Sequence, residues 1–331
     1  MQDSRIGVVG GGAWGTALAQ TLALSGREVV IWAHEPETIA DINGRHTNNL
    51  FLPGIGLEPR LHATGDLVDI ASQDIVLLVP PAQHLRAIAE RLASHLAPGK
   101  PVVVCAKGIE QATGKLMTHV LAEAIPQARV AILSGPSFAA DVARGLPAAL
   151  TLACADEDTG SALATALGYR ALRLYWSSDL IGVELGGAVK NVLAIAAGIV
   201  DGRDLGASAH AALVTRGFAE LKRLGEALGA RPETLMGLSG LGDLILTCGS
   251  PKSRNMSLGR ALGQGRAFAD VMAERRAVTE GVFTAEAVVR LSRDHGVDMP
   301  ICAAVHAIVT GGLTVDAAIE ALLSRPQRAE V

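Results

Sequence analysis

The chain has 331 residues, a formal net charge of -4 at pH 7 and an aromatic content of only 3%. This acidic balance, with no basic stretch interleaved with aromatics, argues against a nucleic-acid-binding protein. Alanine and glycine are abundant, but no window of about 18 residues lacks charges and turn signals together, and the best run, residues 192–200, is too short to span a membrane. We therefore expect no integral membrane segment. The scattered cysteines form no CxxC pair and the histidines show no ligand spacing, which predicts a cytoplasmic protein without a metal site.

The first part of the chain alternates strand-like and helix-like segments. Short apolar runs predict strands at residues 6–9, 28–32, 75–79, 102–105 and 130–133, and a helix is predicted at 15–25. This alternation predicts βαβ units and a mainly parallel, Rossmann-type sheet. After about residue 179, helical spacing dominates, at 218–228, 285–294, 302–309 and 315–323. We therefore predict an α/β fold with a dinucleotide-binding domain at 1–179 and an all-helical substrate and catalytic domain at 180–331.

A glycine-rich turn lies between the first predicted strand and the first predicted helix. Gly10, Gly12 and Gly15 form the pattern GxGxxG. Such glycines permit a tight turn and let the backbone approach a pyrophosphate at a helix N-terminus. The position of the turn favours a dinucleotide site over a purely structural turn. Trp14 either packs in the core or lies over the cofactor, and the pattern leaves both readings open.

The residues that select between NAD and NADP lie about 20 residues further on, after the second strand. The sequence there is Trp32-Ala33-His34-Glu35. His34 is suited to a 2′-phosphate and Glu35 to a 2′-hydroxyl, while a solvated His34 is an equally good reading. The pattern leans towards NADPH and leaves NADH open.

Lys190 stands almost alone in an apolar, helix-like run from residue 186 to residue 202. A buried ammonium is costly unless it is paired or functional, and desolvation lowers its pKa. A lysine tuned in this way can exchange a proton with a substrate oxygen near neutral pH. The alternative is a lysine that snorkels from the helix edge to water.

Several weaker candidates lie at strand ends and in loops. Lys107 is placed either to meet an anionic substrate or to face solvent, and residues 134–138 either bind an oxygen or form a turn. Asp243 follows a glycine-rich turn, where a helix cap is the common role. The tripeptide 253–255 (SRN) suits a phosphate, although a surface loop is the more common reading.

Together these stretches resemble the NAD(P)-dependent glycerol-3-phosphate dehydrogenases of bacteria, from about residue 5 to residue 325. The landmarks, all in the family's order, are AKG at 106–108, SGPSFA at 134–139, GVELGGAVKNVLAIAAGIVDG at 182–202, GLGDLILTC at 240–248, SRN at 253–255 and VTEG at 278–281. The resemblance implies an oxidoreductase that reversibly reduces dihydroxyacetone phosphate to sn-glycerol 3-phosphate with NADPH or NADH. The resemblance also implies that this reaction supplies glycerophospholipid synthesis.

The resemblance also assigns site residues, with Lys190 as the proton donor and acceptor. The implied substrate-binding residues are Lys107, Gly135, Ser137, Lys190, Asp243, Ser253, Arg254 and Asn255. The cofactor-binding residues, including the glycine loop, are Gly10, Gly12, Ala13, Trp14, Gly15, His34, Lys107, Ala139, Arg254, Val278 and Glu280.

Three positions depart from the family pattern. Ala13 replaces a common serine, Arg203 an aliphatic residue and Ser208 an asparagine. None of them touches the role of Lys190, but they leave substrate affinity less secure. The alternatives are a β-hydroxyacid or ketopantoate-type dehydrogenase and a non-catalytic NAD(P)H-sensing module. The sequence does not decide between a monomer and a homodimer.

Overall fold

Strands and helices alternate in the first part of the computed structural model, and helices alone follow in the second. The structure describes residues 4–275 and 278–326. The strands are β1 (Ile6–Val9), β2 (Val29–Trp32), β3 (Thr47–Asn48), β4 (Leu52–Gly56), β5 (Leu61–Thr64), β6 (Ile75–Leu78), β7 (Pro101–Val104), β8 (Arg129–Ser134), β9 (Ala148–Cys154) and β10 (Leu172–Ser177). The helices among them are α1 (Ala13–Leu24), α2 (Pro36–Arg45), α3 (Leu67–Ala71), α4 (Leu85–Ala93), α5 (Met117–Ala124), α6 (Ala139–Ala143) and α7 (Glu157–Leu167).

The later part of the chain is helical throughout its described residues. The helices are α8 (Leu180–Gly202), α9 (Ala207–Ala227), α10 (Pro232–Leu235), α11 (Asp243–Cys248), α12 (Arg254–Gly263), α13 (Phe268–Ala273), α14 (Glu280–Asp294), α15 (Pro300–Val309) and α16 (Val315–Leu323). A π-helical turn, Leu238–Gly242, leads directly into α11. The predicted α/β fold class with a helical second part is confirmed.

Eight strands form one sheet in the order β10-β9-β8-β7-β6-β1-β2-β5. All neighbours are parallel except β8 and β9, which run antiparallel. Apolar clusters cover both faces of the sheet, which explains why β1 and β6 are buried along their whole length. The chain order reverses at β1, between β2 and β6, and ligands of open α/β sheets bind at such a reversal.

Most predicted segments were found, with shifted ends. Helix α1 begins at Ala13 rather than at residue 15, and α9 and α14 begin well before the predicted 218 and 285. The first two turns of α9 contain no buried residue, so their sequence carries little apolar periodicity. The antiparallel β9 and the edge strands β5 and β10 were not predicted, because they contain none of the valine and isoleucine residues that mark the other strands of the sheet.

Helix α8 forms the centre of the helical part. It is 23 residues long and is buried from Gly182 to Val200. The Asp179 side chain caps it by accepting a hydrogen bond from the Gly182 amide at 2.9 Å. The prediction that no apolar run is long enough to span a membrane was wrong, because α8 has the length and composition of a spanning helix. Its most apolar stretch is entirely buried within the fold, as expected for the core helix of a globular protein.

Glycines let α12 approach α8 at backbone distance. A Cβ atom on Gly198 would lie 2.0 Å from the Met256 carbonyl oxygen, and one on Gly259 would lie 1.9 Å from the Ile195 carbonyl oxygen. No other residue type fits at these two positions without separating the helices. This close packing places the N-terminal end of α12 beside the middle of α8.

Candidate active site

The glycine loop between β1 and α1 has the geometry of a phosphate cradle. Gly10 has φ +127°, which favours glycine, and a Cβ atom on Gly15 would lie 1.9 Å from the Gly10 carbonyl oxygen. Among the described residues no side chain caps α1, whose N-cap residue is Gly12 and whose first residue is Ala13. The first amides of α1 therefore face an open site suited to a pyrophosphate.

The residues predicted to read the adenosine end lie at the end of β2. His34 is exposed, with its ring 6.3 Å from the Trp32 ring between centroids. Glu35 occupies the N-cap position of α2 and is half-buried. Trp14 is half-buried against the apolar core of the sheet, and its Nε1 finds no hydrogen-bond partner among the described residues. Both readings of Trp14 thus remain compatible, because the core contacts leave its polar atom unused.

Two lysines meet on one buried carboxylate where the sheet adjoins the helices. Lys190 Nζ lies 2.5 Å from Asp243 Oδ1, and Lys107 Nζ lies 2.8 Å from Asp243 Oδ2. Lys190 comes from the middle of α8, Asp243 from the start of α11 and Lys107 from the loop after β7. The Asp243 side chain is 0% exposed, whereas those of Lys190 and Lys107 are 8% and 16% exposed. We call these three residues the lysine–aspartate centre.

Burial lowers the pKa of Lys190 to about 8. The positive charge of Lys107 lowers this pKa as well, while the carboxylate of Asp243 raises it. The snorkelling alternative is wrong, because the Lys190 ammonium ends on buried partners rather than in water. The helix-cap reading of Asp243 is also wrong, since Gly242 is the N-cap residue and the Asp243 carboxylate binds both lysines.

Thr247 completes the hydrogen bonding of Lys190 and was missed in the sequence. Its hydroxyl accepts a hydrogen bond from Lys190 Nζ at 3.0 Å and donates one to Asp243 Oδ1 at 3.4 Å. Thr247 lies one helical turn after Asp243 on α11, and this spacing of four is the signal that could have identified it.

A chain of amide groups ties α8, α12 and α14 together next to Lys190. Asn255 Nδ2 donates to Asn191 Oδ1 at 2.9 Å, and Asn255 Oδ1 accepts from the Gly281 amide at 3.0 Å. Asn191 was also missed, although it directly follows Lys190. The surface-loop reading of residues 253–255 is wrong for two of the three, because Ser253 and Asn255 are buried and Ser253 caps α12. Arg254 is exposed.

The loop after β8 adds backbone groups beside Lys107. The Gly135 carbonyl oxygen accepts hydrogen bonds from Lys107 Nζ at 3.0 Å and from the Ser137 hydroxyl at 3.2 Å. Gly135 has φ +150°, and a Cβ atom there would lie 3.0 Å from Leu150 Cα. Ala139 opens α6 immediately after this loop. Lys107 is thereby held by both the Gly135 carbonyl and Asp243.

Unpartnered polar atoms gather at the start of α14. Glu280 Oε1 accepts a hydrogen bond from the Ala82 amide at 3.1 Å, but Glu280 Oε2 is buried without a partner in the described part of the chain. The Thr284 hydroxyl is likewise buried and unpartnered among those residues, and both atoms lie near Gly108. Val278, half-buried, precedes this region. A buried carboxylate oxygen without a donor fits a ligand that brings an N–H or O–H group.

A glycine cradle at the reversal point of a mainly parallel sheet, with a buried lysine centre shared between the sheet and the helical part, defines a nicotinamide-dinucleotide-dependent dehydrogenase. The family model described as NAD-dependent glycerol-3-phosphate dehydrogenase N-terminus matches residues 5–160, and the corresponding C-terminus model matches residues 179–320. The chain therefore belongs to the NAD-dependent glycerol-3-phosphate dehydrogenase family, and the predicted enzyme class, an NAD(P)-dependent oxidoreductase, is confirmed.

Individual relatives agree with this assignment. A protein of Parvibaculum lavamentivorans named glycerol-3-phosphate dehydrogenase (NAD(P)+) is 64% identical over 326 residues, which cover 98% of each chain. One of Caulobacter vibrioides with the same name is 58% identical and covers 100% of both chains. The crystal structure of glycerol-3-phosphate dehydrogenase from Coxiella burnetii has a TM-score of 0.93 at 36% identity, covering 98% of this chain and 100% of that one.

The ketopantoate-type alternative shares the fold alone. A ketopantoate reductase from Ralstonia eutropha covers 95% of this chain and 99% of its own, with a TM-score of 0.62 at 17% identity. This similarity is far below that to the glycerol-3-phosphate dehydrogenases.

Proposed function

We propose that the chain reversibly reduces dihydroxyacetone phosphate to sn-glycerol 3-phosphate, with NADPH preferred to NADH, and so supplies glycerophospholipid synthesis in the cytoplasm. The observation that carries this proposal is the lysine–aspartate centre, in which a buried lysine with a pKa of about 8 lies beside a second ammonium. The four cysteines are free thiols, in keeping with a reducing compartment.

Lys190 is the proposed proton donor. At neutral pH an ammonium with a pKa of about 8 is mostly protonated, yet it loses its proton far more easily than an exposed lysine. Asp243 and Thr247 hold the ammonium from two sides, so its remaining N–H direction is set before substrate binds. Lys190 thus donates its proton to the carbonyl oxygen in reduction and recovers it in oxidation.

Lys107 has a different role in the same centre. Its side chain is twice as exposed as that of Lys190, at 16% against 8%, and its ammonium is fixed by the Gly135 carbonyl as well as by Asp243. A fixed positive charge next to the carbonyl oxygen stabilises the negative charge that develops there. Lys107 therefore polarises the substrate while Lys190 transfers the proton.

Arg254 is the proposed binding group for the substrate phosphate. It is exposed at the first residue of α12, where the helix dipole also favours an anion, and its planar guanidinium can bind two phosphate oxygens. Ser253 and Asn255 fix the backbone and orientation of this helix end through their own buried hydrogen bonds. A phosphate held there fixes the distance of the carbonyl from Lys190.

The cofactor fits the residues present. The glycine loop (Gly10, Gly12, Ala13 and Gly15) would bind the pyrophosphate, with Trp14, His34, Ala139, Val278 and the free oxygen of Glu280 as further contacts. The bound nicotinamide supplies the hydride. Ala13 offers no hydroxyl to the phosphates, so binding there relies on backbone amides.

The test is consumption of reduced cofactor by the purified protein with dihydroxyacetone phosphate, with NADPH and NADH in separate runs. We expect rapid oxidation of the cofactor that depends on the ketone. At equal, limiting concentrations of cofactor, the rate should be higher with NADPH than with NADH. Ketopantoate serves as the competing substrate. Turnover of ketopantoate but not of dihydroxyacetone phosphate would overturn the proposal, and cofactor binding without turnover would favour a sensing module.

Replacement of the proton donor gives the sharper test. Lys190→Ala should lower kcat by about 10²- to 10⁴-fold because the general acid is lost. Cofactor binding, measured by fluorescence titration, should stay within about twofold of wild type, since the glycine loop is untouched. Turnover close to wild type would remove Lys190 from its assigned role.

A further inference from the structure

An arginine from α4 lies over the tryptophan that ends β2. Arg91 Cζ is 5.8 Å from the centroid of the Trp32 ring. The indole is fixed in turn, because its Nε1 donates a hydrogen bond to the Gly65 carbonyl at 2.9 Å. His34 lies against the same ring, with 6.3 Å between the centroids. One tryptophan therefore brings a guanidinium and an imidazole to the end of the same strand.

The Arg91 guanidinium has donors to spare. Arg91 is exposed, and within residues 4–275 and 278–326 no carboxylate forms an ion pair with it. Arg86 on the same helix differs, because its guanidinium is bound by Glu110 and Glu123, each at 2.9 Å. A cation held on an aromatic face, with its N–H groups not engaged by an acid, is suited to an external anion.

The position of this cation identifies the anion. In a doubly wound sheet the end of the second strand meets the adenosine ribose, where an acid binds a 2′-hydroxyl and an arginine accommodates a 2′-phosphate. Glu35 alone would disfavour a 2′-phosphate there, so a nearby cation is needed for NADPH to bind well. Arg91 comes from a different element than the residues usually read for this choice, so the sequence after β2 does not reveal it.

We infer that Arg91, supported on Trp32 and joined by His34, binds the 2′-phosphate of NADPH and sets the preference for NADPH over NADH. This inference rests on the cofactor preference in the proposed function and names the residue responsible for it. The cation–π contact is the positioning element, because it holds a long side chain in one place before the phosphate arrives.

The test removes the guanidinium and keeps the aliphatic stem over the indole. In Arg91→Met, isothermal titration calorimetry should show NADPH affinity reduced about tenfold and NADH affinity unchanged, since a charge-assisted hydrogen bond is lost for one ligand only. The fragments 2′,5′-ADP and 5′-AMP repeat the comparison without nicotinamide or substrate, and only 2′,5′-ADP should bind about tenfold more weakly.

Arg173→Met is the matched control. Arg173 is an exposed arginine on β10, at the opposite edge of the sheet, so the same change of charge and side chain occurs far from the ribose. It should leave all four affinities within about twofold of wild type. Arg91→Lys should recover part of the loss, because it restores the charge without the bidentate fork.

Two results would overturn the inference: no change in any affinity, or an equal loss for phosphorylated and unphosphorylated ligands. The second result would make Arg91 a general support of the adenosine pocket. Failure of the proposed function would look different, because wild type would then not reduce dihydroxyacetone phosphate even where Arg91→Met still lost 2′-phosphate discrimination. Thermal melting of each variant verifies that the fold is retained.

Discussion

A single buried carboxylate sets the chemistry of this site at the scale of residues. Asp243 binds the ammonium groups of Lys190 and Lys107 with its two oxygens, so two like charges are held near each other inside the fold. Without that carboxylate, burial and mutual repulsion would both lower the pKa of Lys190 further. Asp243 therefore decides in which pH range the proposed acid keeps its proton.

This role predicts the pH dependence of the reaction. Lys190 must be protonated to donate, so kcat/KM for ketone reduction should be level well below pH 8 and fall as the pH rises through the pKa of about 8. Asp243→Asn should move the midpoint of this fall downward by about one unit or more, because the charge that raised the pKa is removed. Initial rates between pH 6 and pH 10 measure both midpoints.

Asp270→Asn provides the control, because Asp270 is an exposed acid on α13 and the substitution changes the net charge equally. Its profile should match wild type. If Asp243→Asn also left the midpoint in place, Lys190 would not be the titrating group that limits reduction.

At the scale of elements, the contact between α8 and α12 depends on missing side chains. The two helices touch through backbone atoms at Gly198 and Gly259, and this places the ends of α12 and α14 beside Lys190 and Asn191. Any added Cβ atom must separate the helices, since the atoms it meets belong to the partner backbone and cannot rotate away.

Gly198→Ala should therefore destabilise the fold by about 3 kcal/mol or more, because the new methyl group would lie 2.0 Å from the Met256 carbonyl oxygen. Urea unfolding measures the loss in free energy. Gly44→Ala on α2 is the matched control, since a Cβ atom there meets nothing within 4 Å. That substitution should be neutral or stabilising by up to about 1 kcal/mol, and equal losses in both variants would argue against the packing explanation.

At the scale of the whole molecule, buried polar contacts join the helical part to the sheet. Glu184 on α8 accepts hydrogen bonds from the backbone amide and the hydroxyl of Thr118 at the start of α5, at 2.8 and 2.5 Å. Lys107 and Asp243 make a second such contact, and Glu280 with Ala82 a third. The last strand ends at Ser177 and α8 begins at Leu180, which supports the proposed division at residues 179 and 180. Lys107 belongs to the sheet part, whereas Lys190 and Asp243 belong to the helical part. The proposed active site therefore depends on the contacts that join the two parts.

Glu184 should make that contact sensitive to pH. Burial raises its pKa to about 7, above its usual value, so the folded protein keeps a proton that the unfolded chain has already lost. The free energy of unfolding should therefore be highest below the unfolded pKa and fall as the pH rises towards 7, by up to about 3 kcal/mol from this group.

Glu184→Gln cannot titrate, and its unfolding free energy should change less than that of wild type between pH 4.5 and pH 7.5. Urea titrations at both pH values provide the comparison. Glu320→Gln, an exposed acid on α16, should retain the slope of wild type. A slope in Glu184→Gln that equals the wild-type slope would assign the pH dependence to other groups, of which Glu220, also with a pKa raised to about 7, is one.

Local patterns in the chain were enough to predict the class of fold and the glycine loop, and to single out Lys190 as a candidate. Strand-length apolar runs, closely spaced glycines and a lone charge in an apolar helix are signals within a few turns of chain, and each reflects a local physical cost. The sequence did not predict the ends of α9 and α14 or the strand β9, because exposure and strand partners depend on distant residues.

Only the tertiary structure could decide the pairing at the site. Lys107, Lys190 and Asp243 lie far apart in the chain and meet because β7, α8 and α11 pack together, so the shared carboxylate leaves no local pattern. The same is true of Arg91 on Trp32 and of Glu184 on Thr118. The sequence by itself determined which residue types are costly to bury, whereas the packing of distant elements decided which partner compensates each of them.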